Sequence, residues 1–151
     1  ITSAREMFEA VKENYHDQDF IIKAAAVGDY RPKETAINKI KKKDDNLVLE
    51  LVKNDDILSY LGQHKTNQII CGFAMETENL IKNAKDKFIK KNCDLLVANS
   101  LKESGAGFKG DTNKVTLITA DEIEEKNIMT KDEVAKTILY KLIEIKGEEK
   151  C

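Results

Sequence analysis

The stretch from Ile21 to Lys43, IIKAAAVGDYRPKETAINKIKKK, decides the fold of this chain. It begins as an apolar strand, passes through small residues and presents Asp29 where the strand should end. The only proline, Pro32, interrupts regular structure, and a basic run at 39–43 follows. In open α/β sheets, ligands bind in the crevice beyond the carboxyl ends of the strands. A carboxylate at that position, with lysines close by in sequence, predicts a corner for an anionic ligand and its metal ion.

The composition bounds the class of protein. A chain of 151 residues is most simply a single α/β domain, here spanning 1–151. Hydrophobic residues make up 41% and charged residues 34%, which is typical of a soluble globular protein. The net charge of −2 gives no reason to expect nucleic acid or an anionic membrane as a partner. No apolar run approaches the roughly 20 residues of a membrane-spanning helix.

The three cysteines favour a reducing compartment, and the two histidines bear on whether a zinc site is present. Cys71 and Cys93 stand inside apolar segments, which is typical of buried thiols and not of disulfides. There is no Cys-x-x-Cys pair, so we expect no zinc site. We therefore expect a cytoplasmic protein.

The order of predicted elements gives the fold class. Residues 20–27 lack polar alternation apart from Lys23, as expected of a strand covered on both faces. Further buried strands are predicted at 68–73, 94–98 and 115–119, the last paired with residues around Ile128. Capping-box spacings begin the first and last helices, at Ser3–Glu6 and Thr130–Glu133. Together these elements predict a doubly wound, Rossmann-like α/β fold with a mostly parallel sheet.

Residues 37–53 change character and predict an antiparallel arm inserted into that fold. A polar turn at 44–46 separates the basic run from the alternating sequence at 47–53, as in a β-hairpin. An isolated two-stranded hairpin is marginal in water, so its leucine face, which includes Leu49 and Leu51, needs a partner surface. Because closed two-fold association is the commonest arrangement of oligomers, we expect a homodimer formed through this arm.

The acidic candidates have a structural role and a functional one. A carboxylate that follows a strand, such as Asp29, most often caps a backbone amide, and its position at the strand end favours a ligand instead. Asp55 and Asp56 fit the capped first turn of a helix. Backbone amides at the same helix start would also suit a phosphate or a ribose oxygen.

For the basic and aromatic candidates too, the residues alone do not decide between a structural role and ligand binding. The lysines at 39–43 form an ordinary solvated face on charge alone. Lys87 and Lys91 are i,i+4 neighbours on one helix, and a polar helix surface explains them without any ligand. Phe73 near a strand end either packs in the core or stacks on a base.

Two familiar site types are missing from the sequence. No G-x-G-x-x-G connects a predicted strand to a predicted helix, although a dehydrogenase-like dinucleotide binder would be expected to carry one there. The glycines at 105, 107 and 110 do have this spacing, but the strand predicted at 115–119 follows them instead of a helix, so the loop at 104–111 is neither a dinucleotide fingerprint in context nor a Walker loop. The residues by themselves support an α/β domain with an anion-binding corner. A dinucleotide binder and a non-catalytic nucleotide-binding or dimerisation module remain alternatives.

Six linked motifs carry a family resemblance. In chain order they are AAAVGDYRP (24–32), KIKKK (39–43), LELVKNDDIL (49–58), IICGFAMET (69–77), KFIKKNCDLLVAN (87–99) and GFKGDTNKVTLI (107–118). Together they resemble phosphopantothenoylcysteine synthetase, the synthetase half of the bacterial flavoprotein of coenzyme A biosynthesis. The resemblance implies a ligase that couples 4′-phosphopantothenate to cysteine with CTP and Mg²⁺ through an acyl-cytidylate. The family's opening strand and Gly-rich turn do not precede Ile1, which implies an N-terminally truncated synthetase domain.

The resemblance also assigns site residues, matched motif by motif. The implied nucleotide-binding residues are Ala24, Ala25, Asp29, Lys39, Asp55, Asp56, Ile57, Leu58, Phe73, Lys87 and Lys91. Among them, Lys39 is also implied in catalysis and Asp29 in holding the metal ion. Two positions depart from the family pattern, because Asp55 stands where the family often has Pro and Gly28 where it usually has Ala.

Overall fold

The computed structural model describes residues 1–41, 46–76, 79–100 and 110–148, without the side chains of residues 76, 100 and 148. Most of the predicted hairpin turn at 44–46 and of the Gly-rich loop at 104–111 lies outside those residues. The Rossmann-like α/β class is confirmed, with a mostly parallel central sheet that has helices on both faces.

Four α-helices are described, besides one 3-10 turn at Tyr15–Asp17, and their starts follow the sequence closely. They are α1 (Ala4–Asn14), α2 (Ile57–His64), α3 (Leu80–Lys91) and α4 (Lys131–Glu148). Both predicted capping boxes form. The Ser3 hydroxyl accepts from the Glu6 N–H at 3.2 Å, and the Glu6 carboxylate accepts from the Ser3 N–H at 3.1 Å. Thr130 and Glu133 make the same reciprocal pair at the start of α4. No helix in the described part of the chain is long and apolar enough to cross a membrane.

The central sheet has five strands in the order β1-β4-β5-β7-β8. They are β1 (Phe20–Lys23), β4 (Ile69–Glu76), β5 (Leu95–Ser100), β7 (Val115–Ile118) and β8 (Ile123–Glu125). The first three run parallel, and β7 and β8 continue the sheet antiparallel. The predicted partner of β7 near Ile128 is wrong. The Thr119 N–H donates to the Glu122 carbonyl at 2.9 Å, and this tight turn brings β8 back several residues earlier.

Two short antiparallel ribbons lie outside the central sheet. One pairs β2 (Tyr30–Pro32) with β3 (Leu51–Lys53), and the other pairs β6 (Thr112–Asn113) with β9 (Met129–Thr130). The predicted pairing of the basic run with residues 47–53 is therefore corrected, since 51–53 pair with 30–32. Pro32 is the last residue of β2, as its predicted interruption of regular structure implies, and a proline is tolerated there because the ribbon has a free edge. The ribbon extends one step further, where the Lys33 N–H donates to the Glu50 carbonyl at 2.9 Å.

Successive side chains of the parallel strands pack into two apolar clusters, one on each face of the sheet. Ile70, Ala74 and Leu96 pack with α1, α2 and α3, whereas Ile69 and Cys71 pack with α4. A Cβ at Gly72 would stand 2.6 Å from Leu58 Cδ2, so this glycine sets how closely α2 approaches β4.

The prediction that the first strand is covered on both faces is only partly right. β1 is the end strand of the described sheet, and Ile22 on it is 41% exposed. A strand at the edge of a sheet has one neighbour fewer than a central strand, so its side chains are covered less completely.

Candidate functional site

The candidate site begins where β1 ends. Lys23 is the last residue of the strand, and Ala24 and Ala25 follow it with exposed side chains. The chain then reaches Gly28 and Asp29, directly before β2. The predicted strand-end positions therefore lie at the carboxyl edge of the parallel sheet, which is where α/β folds of this kind bind ligands.

Asn54 fastens this segment to the start of α2. Its backbone N–H donates to the Asp29 carbonyl at 2.8 Å, and its side-chain amide donates to the Gly28 carbonyl at 2.7 Å. The Arg31 guanidinium in turn donates to the Asn54 side-chain oxygen at 3.1 Å and to the Lys53 carbonyl at 2.6 Å. Two segments that lie 26 residues apart in sequence are thus held side by side.

We call the end of β1, residues 24–29 and the start of α2 the corner. The N-terminus of α2 contributes backbone amide groups and the Asp56 carboxylate to it. Asp56 is the N-cap, and its side chain accepts from the Ser59 N–H at 3.0 Å. Ile57 and Leu58 are both buried in the core beneath the helix. Their side chains are therefore unavailable, and a ligand at this helix start would meet only their backbone amides. Asp55 precedes the cap and is exposed.

The C-terminal turn of α3 is tied to the start of α2. Lys91 forms an ion pair with Asp56 and donates to the Ser59 hydroxyl at 3.0 Å, and only 13% of its side chain is exposed. Burial by itself raises the pKa of the Asp56 carboxyl, but the hydrogen bonds from Lys91 and from the Ser59 backbone outweigh it and leave the pKa lowered. One turn earlier, Lys87 is half-buried.

The two helices also approach closely at the other end of α2. A Cβ at Gly62 would clash with the backbone carbonyl of Lys91, so only glycine permits this packing. Asn92 ends α3 in the left-handed conformation, with φ of 47°, and its side chain donates to the Gly62 carbonyl at 2.7 Å. The spacing of the charges on the two helices is therefore set by backbone packing.

Lys23 is the charged residue that sequence reasoning did not place in the site. Its ammonium group donates to the Ala25 carbonyl at 2.8 Å. Burial lowers its pKa; the charges of Lys87 and Lys91 lower it further, while those of Asp56 and Asp29 oppose the change. The available signal was that Lys23 is the one charged residue in an otherwise apolar predicted strand.

Two other predicted site residues lie apart from these contacts. Lys39 is exposed in a segment without regular structure. Phe73 does not end its strand, because β4 continues to Glu76, and its partly buried ring packs against the cluster beneath α4. That is the opposite face of the sheet from α2 and α3, so the structure does not bring the Phe73 ring to the lysines.

The described residues contain no group of three or more His, Cys, Asp or Glu side chains placed to hold a metal ion. Asp29 is an exposed single carboxylate. Mg²⁺ is commonly bound by one or two carboxylates together with phosphate oxygens of a substrate. Asp29 therefore fits a Mg²⁺ ion that arrives with a polyphosphate.

A separate cavity of about 470 Å³ lies between the start of α3 and the strands β7 and β8. Asn79, Lys82, Lys114, Thr116 and Glu125 contribute its polar lining. None of the residues implied by the family resemblance lines it, so it is distinct from the corner at the end of β1.

The fold and the corner define a Rossmann-like α/β domain with lysines and carboxylates gathered at the carboxyl edge of its sheet. The chain belongs to the family described as the DNA/pantothenate metabolism flavoprotein C-terminal domain, whose model matches residues 1–145. The family predicted from the six motifs is thereby confirmed.

Individual relatives agree with this membership. The chain is 44% identical over 143 residues to the coenzyme A biosynthesis bifunctional protein CoaBC of Bacillus subtilis, covering 94% of this chain and 35% of that protein. It is 42% identical over 145 residues to a cysteine/cysteine sulfinic acid decarboxylase of an unknown prokaryotic organism, covering 95% of this chain and 40% of that protein. A crystal structure of the C-terminal domain of CoaBC superposes with a TM-score of 0.77 at 39% identity, covering 99% of this chain and 65% of that one. The chain thus spans well under half the length of these two curated relatives.

Proposed function

We propose that this chain forms the nucleotide-binding part of a phosphopantothenate–cysteine ligase of coenzyme A biosynthesis. The substrates are 4′-phosphopantothenate, cysteine and CTP, and the protein acts in the cytoplasm as a homodimer. The observation that carries the proposal is the junction of residues 28–29 with residues 54–56, held by Asn54 beside the lysines of α3. Membership of the family and identity to the Bacillus subtilis protein support the reaction class.

The reaction has two balanced steps. A carboxylate oxygen of 4′-phosphopantothenate bonds to the α-phosphorus of CTP, and the bond from that phosphorus to the pyrophosphate oxygen breaks. The amine of cysteine then bonds to the acyl carbon, and CMP and a proton are released as the amide forms. Neither step needs an oxidant or a reductant.

The residues of the corner act by positioning and by charge. A triphosphate carries about four negative charges, and catalysis of such transfers depends mainly on placing the groups and stabilising developing charge. Lys87 and Lys91 on α3 supply positive charge beside the start of α2, whose Ile57 and Leu58 backbone amides suit an anion. Asp29 would hold Mg²⁺ together with phosphate oxygens, and the ion would supply further charge neutralisation.

Lys39 is proposed as the catalytic lysine on the arm. Its side chain is exposed, so it takes no part in the core and is available to a ligand. The base of CTP is proposed to contact Phe73, Ala24 and Ala25. Because the Phe73 ring packs beneath α4, the contact expected of Phe73 is with its backbone.

The test is CTP-dependent formation of phosphopantothenoylcysteine by the full-length protein, followed as pyrophosphate release and product mass. We expect Lys39→Gln to abolish turnover with unchanged circular dichroism. The matched control is Lys41→Gln, which removes the same charge from the same exposed segment and should retain activity. Nucleotide binding without any product in the wild-type protein would favour the alternative, a non-catalytic nucleotide-binding or dimerisation module.

A further inference from the structure

Lys23 occupies an unusual place for a lysine. It is the final residue of β1, it is half-buried, and its stem lies on the face of the sheet that packs with α2 and α3. Lysine side chains are rarely buried without a carboxylate partner, because removing the ammonium group from water is costly. A lysine in this position therefore needs a negative charge or hydrogen-bond acceptors to offset the loss of hydration.

The described residues do not supply a full compensation. Among them, Lys23 forms no ion pair, and its ammonium group donates a hydrogen bond to the Ala25 carbonyl at 2.8 Å. An ammonium group has three donors, so two remain available for another acceptor. Among the negative charges, Asp56 has the largest effect on the pKa of Lys23, and that carboxylate is already paired with Lys91.

Positive charges on α3 also act on Lys23. Besides burial, the charges of Lys87 and Lys91 lower the pKa of Lys23, whereas those of Asp56 and Asp29 raise it. Like charges held together in a partly desolvated place repel each other more strongly than in water. A bound anion would remove that repulsion, and this corner already combines the exposed turn at 24–25 with the amides at the start of α2.

We propose that the Lys23 side chain binds the polyphosphate of the nucleotide together with Lys87, as a further anion-binding residue of this corner. The inference rests on the proposed function, since it takes the ligand to be a nucleoside triphosphate. It adds a side chain that the family motifs did not assign. Lys91, besides its positive charge, also holds α3 to the cap of α2 through its bonds to Asp56 and Ser59.

A purely structural role makes a different prediction. If Lys23 only fastens the turn through the Ala25 carbonyl, removing its charge changes the stability of the protein and leaves anion affinity unaltered. Lys23→Gln separates the two roles, because an amide is able to donate a hydrogen bond and carries no charge. Lys23→Met is a second neutral variant of similar length, and Lys23→Arg keeps the charge.

The experiment is calorimetric titration of inorganic tripolyphosphate, without Mg²⁺, into the wild-type chain and each variant. Lys85→Gln on the exposed face of α3 is the control, because it changes the net charge equally. We expect Lys23→Gln and Lys23→Met to bind about tenfold more weakly than Lys85→Gln, and Lys23→Arg to recover most of the affinity. Unfolding curves of the same variants report the structural role separately.

Equal affinities for Lys23→Gln and Lys85→Gln would overturn the proposal, and so would the absence of tripolyphosphate binding by the wild-type chain. If one neutral variant does not fold, the other decides. Failure of the ligase assay with the Lys23 effect intact would instead refute the proposed reaction and leave the anion site standing.

Discussion

The side-chain amide of Asn54 donates a hydrogen bond to the carbonyl oxygen of Gly28 at 2.7 Å. This contact, with the backbone hydrogen bond from Asn54 to Asp29, joins the end of β1 to the start of α2. One asparagine, together with the adjacent β2–β3 ribbon, thus joins the two predicted halves of the nucleotide site, which are distant in sequence.

Replacing Asn54 should loosen this corner. Asn54→Ala removes the bond to Gly28 and the acceptor of Arg31, so we expect the free energy of unfolding to fall by about 1–2 kcal/mol. Nucleotide affinity should fall as well, because Gly28 loses its side-chain contact to the start of α2 and only the backbone bond from residue 54 still holds Asp29. Urea denaturation and a CTP titration measure the two effects. Asn67→Ala, at an exposed position, is the matched control and should change neither quantity. Wild-type affinity in Asn54→Ala would show that the corner does not need this clamp.

Asp29→Asn should weaken Mg²⁺-dependent nucleotide binding more than metal-free binding, because the proposed role of this carboxylate is beside the cation. Titrating CTP with Mg²⁺ and with EDTA gives the two affinities. Asp17→Asn, at another exposed carboxylate, controls for the change in net charge. Equal losses with and without Mg²⁺ would remove Asp29 from the metal site.

The sequence predicted the local elements of this fold well. Both capping boxes were recognisable because their hydrogen bonds span only three residues. The buried strands were recognisable as short apolar runs, since strands covered on both faces need no polar alternation. The family motifs added the order of these elements and a list of site residues.

Contacts between residues distant in sequence could not be predicted from local sequence patterns. The partner of β3 was misassigned because alternation fixes which side chains share a face and does not fix which strand lies alongside. Phe73 was expected at the end of its strand, where its ring could reach a ligand. β4 continues for three more residues, to Glu76, so Phe73 lies inside the strand. The candidate role of Lys23 depends on charges at the start of α2 and on α3 that act on it, and no local sequence pattern encodes that arrangement.

Replacing Leu49 and Leu51 with Lys should convert a dimer into a monomer. Their side chains are 58% and 55% exposed in the chain alone, so the arm presents apolar surface that its own subunit leaves uncovered. Sedimentation velocity measures the change. The control is a double lysine variant of Leu139 and Ile143, which are similarly exposed on α4 and should leave the sedimentation coefficient unaltered. If the Leu49 and Leu51 variant sediments as the wild-type does, the arm is not the dimer contact.

The two buried thiols should make the fold labile in alkali. Burial raises the pKa of Cys71 to about 12 and that of Cys93 to about 11, from a usual value of 9.0. Because the folded-state values are raised, the stability they contribute is complete below the unfolded pKa and is lost as pH rises from about 9 towards 12. Urea denaturation at neutral pH and at about pH 10 should show that loss. It should shrink in a variant with Cys71 and Cys93 replaced by Ala, compared at matched pH; an equal loss would contradict the assignment.

The most direct test of the central claim is whether the corner binds a nucleoside triphosphate. A thermal-shift titration of the chain with CTP, ATP, NAD and FMN, each with Mg²⁺, gives the answer, because a ligand that binds only the folded state raises the melting temperature. We predict a rise that saturates with CTP, is absent with NAD and FMN, and is reduced in Asn54→Ala but retained in Asn67→Ala. A rise with NAD or FMN and none with either triphosphate would contradict the account.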